Sequence, residues 1–367
     1  MLVPNWTLMD CVFTADAESV AADWKALAAR ALVPSGLNSP ELLAPAMARA
    51  GAAQLAVVRD AQGLRMVLPV IRQRWPWPVL SNWMSPVSFA GQPHLDPDLA
   101  VPALTAFLRA AGAPVILRSV PVSGPLWEAI TAAAGHVAIL DRWQRAGLEV
   151  SGNYANWFET SFERKRRKEY RRQRARLAEQ GAFAAERLQA GEDTGPWVAE
   201  FLKLEAASWK GRRGTAINAD PAAAEILREA CEGLAAAGKL RFWKLSLDGR
   251  AIAMLYAIVE GGHAWLGKIA HDEAYARFSP GVLQILQSTE DLFAEGGITH
   301  VDSCAIPNHP MIDHLWRDRI EVADVMLAPA AFGAFRFAAF VKAERLRRTA
   351  RAAATIIFYK LTRRRPS

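Results

Sequence analysis

Cysteine is scarce in this chain: Cys11, Cys231 and Cys304 are the three among 367 residues. They are far apart, odd in number, and in no Cys-x-x-Cys or Cys/His spacing. This excludes a disulfide framework and offers no metal-ligand set, so a reduced, cytoplasmic protein without a metal is expected. Long apolar runs are also missing. The stretch VMLAPAAFGAF (325–335) ends at Arg336, well short of the ~20 residues that cross a bilayer. The opening MLVPNWTLMDCVF has no basic segment followed by an apolar core, so no signal peptide is expected.

Basic residues are present but unevenly placed. The formal net charge is +7. Residues 164–176 carry nine Lys and Arg against Glu169, and residues 342–367 carry nine against Glu344. The remainder is net acidic. A duplex binder spreads its positive charge over a docking face, so two basic segments on an acidic body argue against nucleic acid as the main partner. With 51% hydrophobic and 22% charged residues, a chain of this length can bury cores for two domains.

One pattern occurs twice. In the second half, LRFWKLSL (240–247), the turn Asp248-Gly249, RAIAMLYAIV (250–259) and HAWLGKIAH (263–271) read as a three-strand meander. A loop, the helix VLQILQSTEDLFAEGG (282–297) and the strand ITHVDSCA (298–305) follow. In the first half, QLAVVRD (54–60), LRMVLPVIRQR (64–74), PVLSNW (78–83), the helix LAVPALTAFLRAAG (99–112) and PVILRSV (114–120) repeat that order. A meander, a crossover helix and a returning strand predict a mixed α/β sheet flanked by helices. The duplication predicts two such units, with one large mixed sheet as the alternative. The expected division is 1–150, 151–330 with a basic helix at 162–179, and a basic amphipathic tail at 331–367.

FLKLEAASWKGRRGTAI (201–217), YARFSPGVL (275–283) and THVDSCAIPNHPMIDHLW (299–316) resemble the GNAT-type acetyltransferases associated with cellulose biosynthesis, the CelD/BcsL group. GLNSPELLAPAM (36–47) and the basic helix opening at Phe162 fit it as well. That group is similar to the Fem peptidoglycan aminoacyltransferases, which are also tandem GNAT folds. The resemblance implies acetyl-CoA or another acyl-CoA as donor and an amine or sugar hydroxyl, on a glycan or lipid-linked sugar, as acceptor. It also implies a Gly-rich loop before the crossover helix. Here that loop is RFSPG, with Gly281 alone, and the first copy has SPVSFAGQP, with Gly91 well before its helix.

At the second loop, Pro280 suits a first helical turn and Gly281 lets a ligand approach the backbone. Ser279, Gly281 and Val282 would offer amides to a pyrophosphate, with Lys268 and Arg277 adding charge; an ordinary capped helix is the plainer reading. Acyl transfer needs a base and a group that polarises the thioester. Asp302, His309, His314 and Glu205 are the candidates. Against this, Asp302 would only hold a loop, and His314 with Trp316 would only pack a helix start. Cys304 reads as core. Trp209, Lys210 and Arg212, beside Gly211 and Gly214, would suit a sugar or phosphate-bearing acceptor, or form a solvated loop.

The basic helix has Phe162, Tyr170 and Leu177 as its large apolar residues. Its partners are expected to be donor or acceptor phosphates first, the acidic body of the chain second and RNA third. The tail either lies on an anionic membrane surface or docks on the core. The resulting expectation is an acyl-CoA-dependent N- or O-acyltransferase. A Fem-like enzyme using aminoacyl-tRNA and a non-catalytic GNAT-like binding module are the alternatives.

Overall fold

The computed structural model describes residues 9–361 apart from 75, 76, 86, 90 and 91. Gly91 and residues 362–367 of the tail lie outside them. The chain begins with β1 (Asp10–Thr14), α1 (Ala21–Ala28), α2 (Pro40–Arg49), β2 (Ala53–Asp60), β3 (Gly63–Gln73), β4 (Val79–Asn82) and the two-residue β5 (His94–Leu95). It continues through α3 (Ala100–Ala110), β6 (Val115–Pro121), α4 (Pro125–Ala133) and β7 (His136–Glu149). Helices α5 (Tyr154–Ser161) and α6 (Arg164–Ala178) connect to the second run. That run is β8 (Phe183–Arg187), α7 (Thr194–Ala207), the short α8 (Trp209–Arg212), α9 (Pro221–Ala236), β9 (Leu240–Leu247), β10 (Arg250–Glu260) and β11 (His263–His271). It ends with α10 (Pro280–Glu295), β12 (His300–Asp302), β13 (Asp318–Ala328) and α11 (Ala334–Leu361).

Local chemistry explains the boundaries that matter for the site. Asp248 and Gly249 take φ 50° and 77°, the paired left-handed turn that joins β9 to β10. Asp193 caps α7 by accepting from the Gly195 amide at 2.8 Å. Gly296 and Gly297, at φ 71° and 74°, stop α10.

All the strands belong to one mixed sheet. Its order is β1-β2-β3-β4-β6-β13-β7-β12-β11-β10-β9-β8, with β5 beside β3. Pairing is antiparallel except at β4–β6 and β11–β12, the two places where a crossover helix intervenes. The two runs therefore repeat one topology, joined through exchanged last strands. β7, the end of the first run, pairs with β12 of the second. β13, the end of the second, pairs back with β6. β7 and β13 also pair with each other, from Asp318↔Gly147 to Ala328↔His136. The repeated unit and the single sheet coexist.

Helices cover both faces, so the inner strands are buried on both sides. On one face, α1, α2, α7 and α9 bury Trp24, Leu42, Phe201 and Leu227 against Leu55, Phe242 and Tyr256. The opposite face has α3 and α4 packed on Leu117 and Val325, and α10 with α5 packed on Trp243 and Leu266. The start of α11 docks Phe337 and Val341 on Ile116 and Met326. Ile116 points away from the α3 side, so α11 shares the face of α1 and α7. The tail thus takes the docked form over its described beginning. Among the described residues, no helix is long and apolar enough to cross a membrane.

Candidate active site

The site begins where two parallel strands part. β11 and β12 pair only from His263↔His300 to Trp265↔Asp302. β11 then runs on to His271, while the chain after β12 turns away at Cys304, whose φ is 51°. Asp302 fastens this turn. Its Oδ1 accepts from the Cys304 amide at 2.8 Å, and its Oδ2 accepts from the Arg145 guanidinium on β7 at 2.5 Å. Both oxygens are committed and the pair is buried. Asp302 is therefore a strand-end clasp and not a free base. Cys304 is shielded, and burial first, then the adjacent carboxylate, raises its thiol pKa well above the ordinary value.

Beyond the last β12 pair, β11 bulges. Leu255 faces Ile269 and Ala257 faces Leu266, so Gly267 and Lys268 together oppose Tyr256. Glycine is required at 267, because a Cβ there would lie 2.0 Å from the Tyr256 ring. Lys268 does not join the loop before α10, as charge alone suggested. Its Nζ lies 3.7 Å from Glu205 Oε1, on the α7 side of the sheet.

Glu205 is fully buried on α7, as the spacing of Phe201, Leu204, Glu205 and Ser208 predicts. Its Oε2 accepts from the Ile217 amide at 2.8 Å. Its Oε1 faces Lys210 Nζ at 3.4 Å. Two ammonium groups and an amide thus occupy both of its oxygens. Lys210 Nζ also donates to the Ile269 carbonyl at 2.7 Å, on the stretch of β11 that has left β12. Its ammonium therefore stands at the strand gap. Burial lowers its pKa, opposed by Glu205.

On the other side of the gap is the start of α10. Ser279 sits at φ 53° and no side chain caps the helix. The first amide turned back into the helix is that of Leu283, to the Ser279 carbonyl at 3.1 Å, which leaves the Gly281 and Val282 N–H groups ahead of the ladder. A Cβ on Gly281 would sit 3.3 Å from both His271 Nδ1 and Met311 Sδ, so the helix start abuts the end of β11 and the loop after β12. His271 escaped the sequence reading; its position four residues past the bulge becomes visible only with the register. Its imidazole makes no hydrogen bond among the described residues. Burial lowers its pKa, with Lys210 adding to the effect and Glu273 and Asp272 opposing it.

A cavity of about 640 Å³ adjoins this helix start. Ser279 and Val282 line one wall, Met311 and His314 another, and Lys165, Arg166 and Tyr170 of α6 a third. Helix α6 is held by the stripe Phe162, Tyr170 and Leu177, all buried, while its cations other than Arg167 face outward. Arg167 and Arg171 pair with Glu159, and Arg172 with Glu169. Arg164, Lys165 and Lys168 make no ion pair among the described residues.

The remaining candidates lie at the rim or are spent on structure. His309 Nδ1 accepts from the Met311 and Ile312 amides at 3.3 and 3.4 Å, so its lone pair caps a turn. Burial first, then Asp313 opposing and Lys210 reinforcing, leaves its pKa lowered. His314 is exposed at the cavity edge, whereas Trp316 is core and donates to Thr289 Oγ1 at 3.2 Å. The Trp209 amide and the Arg212 guanidinium both bind the Glu273 carboxylate, at 2.7 and 2.6 Å, which docks α8 on the loop after β11. Arg212 is thus held in a surface pair and not free at the gap. Arg277 is also engaged, donating to Gln180 Oε1 at 3.0 Å and lying over the Phe278 ring.

Comparison with known proteins accords with this geometry. Residues 164–309 match the acetyltransferase (GNAT) domain family. No curated protein matches the chain significantly. Among solved structures, the chain is similar to the C-terminal domain (DUF2156) of a protein assigned as lysylphosphatidylglycerol synthetase from Agrobacterium fabrum. The TM-score is 0.57 at 12% identity, covering 90% of this chain and 98% of that one. It is similar to FemX, with TM-score 0.57 at 11% identity over 83% and 95% of the two chains. A protein of unknown function from Bacteroides thetaiotaomicron gives TM-score 0.52 at 11% identity over 86% and 99%. At such identities these likenesses describe the fold. The family match falls on the run that holds the parted strands.

Proposed function

We propose that this protein is an acyl-CoA-dependent N- or O-acyltransferase whose reaction occurs in the second run. The observation that carries the reading is the gap after Trp265↔Asp302, flanked by the open start of α10 and by Lys210. The amides of Gly281 and Val282, with Ser279, would hold the donor's pyrophosphate; Lys165 and Arg166 across the 640 Å³ cavity would take further phosphate charge. The thioester supplies an activated acyl group, acetyl in the simplest case. The acceptor's lone pair attacks the carbonyl carbon, the C–S bond breaks, and the acyl group passes to nitrogen or oxygen. Lys210 stabilises the oxygen as it gains negative charge. His271, neutral because burial depresses its pKa, takes the acceptor's proton. Glu205 is a positioning residue that holds Lys210 and Lys268.

The acceptor is an amine or a sugar hydroxyl. A glycan or lipid-linked sugar would agree with the sequence resemblance to the cellulose-biosynthesis-associated group. Calorimetry with acetyl-CoA on the wild type and on Gly281→Glu tests the donor place. Binding lost in a variant that melts like the wild type supports it; equal affinity in both removes it. The outward cations of α6 favour one further reading, an aminoacyl-tRNA donor. Transfer that requires tRNA, and disappears when Arg164, Lys165 and Lys168 are neutralised, would select it.

A further inference from the structure

A second cavity, of about 670 Å³, lies between α11 and the middle of the sheet. Arg118 on β6, Asp141 and Trp143 on β7, Asp324 on β13, and Arg348 and Arg351 on α11 line it. The carboxylates there are already used. Asp324 accepts from the Ser119 amide at 3.0 Å through Oδ1 and from Arg348 at 2.7 Å through Oδ2. Glu344 is bidentate to Arg347 and also takes Arg348. Asp141 is exposed and its carboxylate accepts from the Arg142 amide at 2.9 Å.

Arg118 is left over. Its guanidinium makes no hydrogen bond among the described residues, and its Nε is buried. Burial is the largest influence on it and lowers its pKa, with Asp324 opposing and Arg348 and Arg347 adding repulsion. Arg351 makes no ion pair among the described residues. A guanidinium withdrawn from water without an acceptor is costly unless an anion arrives to meet it. Two cations without partners, beside two whose partners are occupied, suit a phosphate better than a single carboxylate.

The cavity is also on the right face. Asp141, Trp143 and Arg145 alternate onto one side of β7, and Arg145 is the residue that clasps Asp302 at the strand gap. Four residues of strand separate Asp141 from Arg145, about 13 Å.

We propose that this cleft is an anion subsite that holds a phosphate or pyrophosphate group of the acceptor, with the nucleophile reaching toward the gap. The proposal rests on the acyltransfer reading for its purpose, but its binding test does not. Gly281→Glu obstructs the donor place, so in full-length Gly281→Glu protein the part of inorganic pyrophosphate binding that responds to Arg118 and Arg351 reads the cleft. The expected result is measurable binding that weakens about tenfold in Gly281→Glu/Arg118→Gln and again in Gly281→Glu/Arg351→Glu, the loss of one charge-assisted bond each. Arg351 is on the surface, so that variant keeps its fold even if the Arg118 substitution does not. No pyrophosphate binding, or affinity unmoved by both substitutions, overturns the proposal. Failure of acetyl-CoA to bind the wild type would instead strike the donor reading and leave this measurement intact. Sedimentation with phosphatidylglycerol vesicles assigns the source. Association that depends on Arg118 means a lipid headgroup, and pyrophosphate binding without it means a soluble phosphorylated acceptor.

Discussion

At the scale of single residues, roles follow from what each polar atom already holds. Lys210 has a proton to direct at the gap and Glu205 has none to take. Lys210→Met is expected to lower kcat by about 10²–10³, the usual loss for one oxyanion donor, with donor affinity little changed; steady-state kinetics against acetyl-CoA measures it. Glu205→Gln leaves two half-buried ammonium groups without their counter-charge. It is expected to cost about 3 kcal/mol in urea unfolding and to reduce activity through Lys210. His271 must be neutral to accept a proton. Its pKa lies below the ordinary 6.5, so kcat/KM is expected to be level above that pH and to fall as the ring is protonated in acid. His271→Gln removes that acidic limb. The same depression makes stability fall as the pH is lowered, because below 6.5 the unfolded chain takes a proton that the folded chain resists. The sequence displays these side chains but not their occupancy. Asp302 reads as a base until Arg145, from a strand far away in the chain, is seen to hold it.

At the scale of elements, what was legible had a period and a stop signal. The meander 240–271 has its Asp-Gly turn, and α10 its Ser-Pro entry and paired glycines. Helix α6 shows its mode of attachment in Phe162, Tyr170 and Leu177, spaced to form one narrow seam. The bulge in β11 was not legible, because Gly267 looks like any strand glycine until Tyr256 lies opposite. Gly267→Ala is expected to push the Tyr256 ring away, destabilise by about 1–3 kcal/mol, and shift Lys268 away from Glu205. Thermal melts and acetyl-CoA kinetics on that variant check both effects. β12 came out shorter than ITHVDSCA suggests, since the left-handed turn at Cys304 ends the strand at Asp302.

At the scale of the whole molecule, the internal duplication was legible and the crossed ending was not. Strand propensity marks β7 and β13 as extended segments at most, and nothing local states that each pairs outside its own run. That choice is made by long-range complementarity, such as Arg145 with Asp302 and the β13 side chains Val325 and Leu327 within the α3–α4 core. The exchange makes a mechanical prediction. Because β7 and β13 hold the halves through a continuous ladder, urea unfolding is expected to give one transition, with coincident midpoints by tryptophan fluorescence and far-ultraviolet circular dichroism. Two separate midpoints would mean that the halves unfold independently.

The clasp at Asp302 has a consequence for how such a chain can change over generations. The residue that secures the end of β12, in the second run, belongs to the first. Neither copy can be swapped for a foreign one, deleted, or released as a free-standing enzyme without Asp302 losing its Arg145 partner. The clasp takes one residue from each run and so ties the two into a single unit.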